Sequence, residues 1–208
     1  MIIKVCGMRD PENMMEVARL GIDWMGMIFF AGSPRRIKRN KQPISDNYPV
    51  KRVGVFVNAP FEEITETATR YRLDYLQLHG NETPDDCYAL QKRGYSLIKA
   101  FQIATAADLE QTAAYEGRVD YFLFDTKCSG YGGSGRQFDW SVLEAYKGET
   151  PFLLSGGIRP ESATAIRSFS HPRLAGIDLN SGFEIEPGVK DVEKLNHFIH
   201  DIKTSIQI

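Results

Sequence analysis

The first apolar run of the chain, IIKVC, ends in a lone cysteine, Cys6, and a glycine follows at once. A later run, YFLFD, ends in Asp125. A thiol can take a proton once it is ionised, and a carboxyl can give one. Cys6 and Asp125 are therefore the best acid–base pair the sequence offers. A cysteine beside an anion site and a helix terminus can have a lowered pKa. A carboxyl partly shielded at a strand end can have a raised one. Spacing alone leaves a plainer reading open, because a free cysteine is more often a small buried hydrophobe.

Polar residues end other apolar runs: Asn58, Gln77, His79, Asp178, the triplet Ser155-Gly156-Gly157 and the triplet Asn180-Ser181-Gly182. The stretches LLSGGIRPESA and IDLNSGFE both put glycines straight after a strand. Glycine lets backbone N–H groups come close to an oxyanion, and a helix start adds partial positive charge. Together the two loops predict a phosphate site, with tight turns as the alternative. With 4 histidines and no carboxylate-rich cluster, no metal site is expected and His79 reads as structural. Cys87 reads as packing and Cys128 as incidental.

These residues need elements to carry them. Eight β-rich runs recur: 2–6, 24–30, 52–57, 75–79, 96–101, 121–125, 151–155 and 174–179. Most are continuous rather than alternating, as in strands buried on both faces. Helical patterns lie between them at 11–21, 60–72, 83–94, 105–115 and 159–169, and another closes the chain at 191–202. Several begin with Pro and stop at Gly. Residues 38–49 predict at most a fragment of helix, and 141–146 a short one. Eight βα repeats favour a compact (β/α)₈ barrel, one domain over 1–208, over a Rossmann-like open sheet. In such a barrel the chemistry collects at the C-terminal strand ends. The glycine-rich stretch DTKCSGYGGSGRQFDW, residues 125–140, reads as a lid over that end.

The whole chain sets limits on partners. Its 208 residues carry a net charge of −2, and the basic cluster SPRRIKRNK is short, so no nucleic acid is expected. No apolar run approaches a membrane span, and the start lacks a signal-peptide pattern, so no membrane partner is expected either. Three widely spaced cysteines argue against a disulfide framework and for a reducing, cytoplasmic setting.

The segments KVCGMRDPENM, SPR, RVGVFVN, LQLHGNE, the DTK…GGSGRQFDW run, LLSGGIRPES and GIDLNSGFEIEPGVKD resemble phosphoribosylanthranilate isomerases in order and spacing, over roughly residues 2 to 200. The resemblance implies a (β/α)₈ barrel of tryptophan biosynthesis that performs an Amadori rearrangement. The substrate would be a small phosphosugar carrying anthranilate, with no cofactor and no metal. It implies Cys6 as general base, Asp125 as general acid and Arg35 for the anthranilate carboxylate, with Arg36 adjacent. Gln77 and Asp178 would join the substrate contacts, and Gly156, Gly157, Ser181 and Gly182 would hold the phosphate. Asn180 and Arg159 depart from the usual pattern, which leaves their contacts open. Monomer and homodimer also stay open. Two other readings compete: the related histidine-pathway isomerase, which uses two aspartates, and a catalytically silent phosphate-binding barrel.

Overall fold

The computed structural model describes residues 1–37, 50–126 and 140–204. Eight strands close into a parallel barrel in chain order. They are β1 (Ile2–Val5), β2 (Trp24–Ile28), β3 (Lys51–Phe56), β4 (Tyr75–Leu78), β5 (Ser96–Ile103), β6 (Tyr121–Thr126), β7 (Phe152–Ser155) and β8 (Leu174–Leu179). Strand β8 pairs back onto β1, with Lys4 opposite Asp178. All eight predicted strands form, and the open-sheet alternative falls with the closure. Helices α1 (Pro11–Ala18), α2 (Phe61–Tyr71), α3 (Pro84–Lys92), α4 (Ala163–Ser168) and α5 (Val192–Thr204) cover the outside.

Local chemistry sets the helix ends. Asp10 caps α1 by accepting from the Asn13 N–H at 3.1 Å, and Pro11 follows it. Thr83 and Asp86 cap each other's backbone at the start of α3. Three predicted helices come out differently. Residues Ala106–Tyr115 wind as a 3₁₀ helix. There the side chains of Gln111 and Thr112 donate to carbonyls three residues back, at 2.6 and 2.7 Å, and favour the tighter turn. The pattern over 159–169 splits into a 3₁₀ turn, Pro160–Ser162, and the short α4. Residues Trp140–Ala145 are also 3₁₀. The segment 38–49 and most of the expected lid, Cys128 included, lie outside the described residues.

Strand alternation divides the core in two. Residues facing out pack under the helices in one large cluster, where Cys87 is buried as expected. Residues facing in form separate clusters: Trp24, Val53, Ile98, Ala100, Leu123 and Leu153 below, and Cys6, Ile28 and Val55 above. Trp24 stacks on Tyr75 at 4.5 Å and meets Tyr121 edge-on at 5.1 Å between ring centroids. These rings fill the lumen near the N-terminal strand ends. The polar end of the lumen is therefore the C-terminal one.

A charged lumen at the C-terminal strand ends

The same alternation brings the polar candidates together. Lys4 on β1 and Cys6 just past its end share the inward face, and Cys6 is 4% exposed. Lys4 is fully buried, and its Nζ lies 2.8 Å from Asp178 Oδ1 on β8. Ser155 Oγ donates to the other oxygen of Asp178 at 3.3 Å. Lys4 also attracts the Cys6 sulfur electrostatically when the thiol is ionised. Burial pushes the Cys6 thiol up, against the pull of Lys4 and Lys190. The expected lowering of this pKa is thus corrected: the thiol lies too deep for nearby cations to outweigh its desolvation.

On β4 and the residue beyond it, Gln77 Nε2 meets His79 Nδ1 at 2.9 Å. His79 Nε2 in turn stands 3.8 Å from Asp125 Oδ2. With the amide donating, Nδ1 accepts and the ring proton sits on Nε2, toward Asp125. Gln77 Oε1 is buried with no hydrogen-bond partner among the described residues. That leaves an acceptor in the lumen for a ligand to satisfy. Asp125 is the next-to-last residue of β6, three strands round the ring from β1.

Beyond β8 a small two-stranded ribbon, β9 (Glu184–Glu186) and β10 (Val189–Lys190), folds over the mouth. Lys190 Nζ is held by Asn180 Oδ1 at 2.8 Å and Glu184 Oε1 at 2.7 Å. Asn180 thus contacts a lysine of the site. Arg35, in the loop after β2, forks onto Glu184 with its shortest contact at 2.6 Å. Arg36 instead continues the pairing of β2 through a bridge to Ile28, and it is exposed. Gly7, at φ 77°, makes this convergence possible. A Cβ there would stand 2.8 Å from Asn180 Oδ1 and 2.9 Å from Arg35 Cδ.

The two glycine loops meet as well. Gly156 and Gly157 both take left-handed backbone, φ 89° and 64°. Gly182, in the 3₁₀ turn Ser181–Phe183, presses on the Ile158 carbonyl so closely that a Cβ would overlap its oxygen. Among the described residues no acceptor takes the N–H of Gly156 or Gly157. Arg159 gives its own N–H to Ser162 Oγ at 3.0 Å.

Sequence reasoning missed Lys4, Glu184 and Lys190. Lys4 had a signal, since it is a lysine two residues before Cys6 inside an apolar strand, on the same face. Glu184 and Lys190 had the Pro187-Gly188 turn between them and their place in the segment GIDLNSGFEIEPGVKD. Among the described residues no group of three or more His, Cys, Asp or Glu side chains could hold a metal ion. None of the described helices is long and apolar enough to cross a membrane.

A closed parallel barrel whose charged lumen opens at the C-terminal strand ends is the architecture of a (β/α)₈-barrel enzyme. A family model described as N-(5′-phosphoribosyl)anthranilate isomerase matches residues 3–201. The N-(5′-phosphoribosyl)anthranilate isomerase of Parabacteroides distasonis is 66% identical over 206 residues, covering 97% of this chain and 93% of its own. A crystal structure of phosphoribosyl anthranilate isomerase from Thermotoga maritima superposes with a TM-score of 0.82 at 33% identity, covering 98% of this chain and 100% of that one. Another, in complex with reduced 1-(o-carboxyphenylamino)-1-deoxyribulose 5-phosphate, gives 0.81 at 30% identity, with the same coverage. The chain belongs to the phosphoribosylanthranilate isomerase family, and it is an isomerase of tryptophan biosynthesis. The histidine-pathway and silent-barrel readings fall with that membership.

Proposed function

We propose that the chain rearranges N-(5-phosphoribosyl)anthranilate to the 1-deoxyribulose aminoketose with Asp125 as general acid and Cys6 as general base. The observation that carries this reading is the shared inward face of Cys6, just past β1, and of Gln77, Asp125 and Asp178 on β4, β6 and β8, in one lumen. Asp125 gives a proton to the furanose oxygen. The ring C1′–O bond breaks as the nitrogen lone pair forms C1′=N⁺. That cation acidifies the C2′ proton, which the Cys6 thiolate removes. The enolamine then takes a proton at C1′, and the C2′ hydroxyl becomes the ketone. Carbon C2′ is oxidised and C1′ reduced within one molecule, so the step calls for no outside redox cofactor.

The surroundings support these roles. Burial makes the Cys6 thiolate a minor species at neutral pH but a stronger base when formed. Lys4 and Lys190 supply the positive charge that a buried thiolate needs. Arg35 suits the anthranilate carboxylate because its planar fork can bind both oxygens. The unpartnered Gln77 Oε1 can accept from a sugar hydroxyl. Asp178, tied to Lys4 and Ser155, lines the floor beneath the reacting carbons. The unpaired N–H groups of Gly156 and Gly157, with Ser181 and Gly182 in the neighbouring loop after β8, suit the phosphate. Held there, the phosphate fixes the ribose over the thiol. One barrel carries the whole reaction, in the cytoplasm, as a monomer or homodimer.

The test is loss of substrate fluorescence after phosphoribosylanthranilate is formed in situ. The wild type turns it over. Cys6→Ala and Asp125→Ala each lower kcat on the order of a hundred- to ten-thousandfold. A wild type without turnover would sink the reaction assigned, whereas near-normal rates in either variant would sink only the roles.

A further inference from the structure

Glu184 is a buried carboxylate with no part in the proton transfers, and it is saturated with donors. Its Oε1 accepts from Lys190 Nζ at 2.7 Å, Arg35 Nε at 2.9 Å and the Gly188 N–H at 3.1 Å. Its Oε2 accepts from Arg35 Nε at 2.9 Å and Arg35 Nη2 at 2.6 Å. The Glu184 side chain is 5% exposed, and that of Arg35 is 22% exposed. A carboxylate held by two cations and a peptide N–H, on the short ribbon of β9 and β10, is a fixed point of the mouth.

A guanidinium has two edges that can each bind a carboxylate: the side edge of Nε and Nη2, and the end edge of Nη1 and Nη2. Glu184 occupies the side edge. Among the described residues no acceptor takes Arg35 Nη1. An unheld arginine would also have to give up rotamer entropy when it binds. Glu184 orders the side chain before any ligand arrives, and pre-ordering of this kind raises affinity.

We infer that Glu184 is a positioning residue that grips one edge of Arg35 and leaves the other edge open to the carboxylate of the aryl amine. This rests on the role proposed above for Arg35. It gives the ribbon a task in specificity, namely selecting substrates whose ring carries an ortho carboxylate.

The test compares two substrates in each variant: phosphoribosylanthranilate and phosphoribosylaniline, which lacks the carboxylate. Both products are followed by chromatography. The quantity read is the ratio of the two kcat/KM values. Both substrates report on the same folded molecules, so the ratio does not depend on how much of a variant folds. Effects that reach both substrates through Lys190 cancel as well. Glu184→Gln should lower the ratio about tenfold, chiefly through KM for the anthranilate compound. Glu184→Asp, which keeps the charge, should fall between Gln and wild type. Arg35→Ala should remove the preference. A ratio that stays within about twofold of wild type in Glu184→Gln, while Arg35→Ala abolishes it, overturns the role of Glu184 alone. A ratio that rises in Glu184→Gln also overturns it, because Glu184 would then compete with substrate for Arg35. An unchanged ratio in Arg35→Ala overturns the assignment of Arg35, and this inference with it.

Discussion

Cys6 is decided by its surroundings more than by its type. Three strands round the ring from Asp125, it stands beside a nearer set of three cations, Lys4, Lys190 and Arg35, and two carboxylates, Asp178 and Glu184. That set carries one uncompensated positive charge, which a thiolate or a ligand anion can neutralise. Burial still dominates, so the thiol of the free protein titrates above the ordinary value near 8.5. Peptide-resolved alkylation with iodoacetamide between pH 6 and 11 checks this. The Cys6 peptide should gain reactivity with a midpoint above that of a free thiol, and a midpoint below about 8 would contradict the buried environment. The sign for stability follows. A thiol whose folded pKa is raised favours the folded state below its unfolded pKa and loses that advantage as pH rises through the folded one. The sequence pointed to Cys6 and Asp125 as a pair. It did not show that His79 would stand beside Asp125, because β4 and β6 come within reach only through β5.

Among the elements, the loops after β7 and β8 depend on each other. Gly182 lies against the Ile158 carbonyl with no room for a Cβ. Gly182→Ala should push the loops apart and cost about 1–3 kcal/mol of stability. It should also raise KM for the phosphorylated substrate. Urea unfolding and steady-state kinetics read the two effects separately, and an alanine variant with wild-type values of both would show that the contact is not needed. Strand runs and helix starts were legible here because they are local: Pro11, Pro84 and the continuous apolar strands each state their element. The 3₁₀ winding of 106–115 was not legible. Side chains there compete for backbone carbonyls within a pattern that otherwise suits an α-helix.

On the scale of the molecule, the barrel is closed where β8 pairs with β1, and the closure is also electrostatic. Lys4 and Asp178 are register partners on β1 and β8, 174 residues apart, and they form a buried ion pair. Removing one partner leaves the other charge buried and unpaired. Lys4→Met should cost about 3–5 kcal/mol in urea unfolding, and Lys4→Met with Asp178→Leu should recover most of it. A single variant as stable as wild type would mean that water or another group compensates Asp178. The sequence by itself determined the strand count, the parallel order, the mouth at the C-terminal ends and the family, because periodicity and motifs are properties of short stretches. Tertiary structure alone decided which charges meet. Arg35 could have faced any carboxylate; only the ribbon folding back over Gly7 brings it to Glu184. Lys4 could have been a surface residue; only closure of β8 on β1 buries it beneath Cys6. Contacts between distant residues depend on register and closure, which no single stretch of chain encodes.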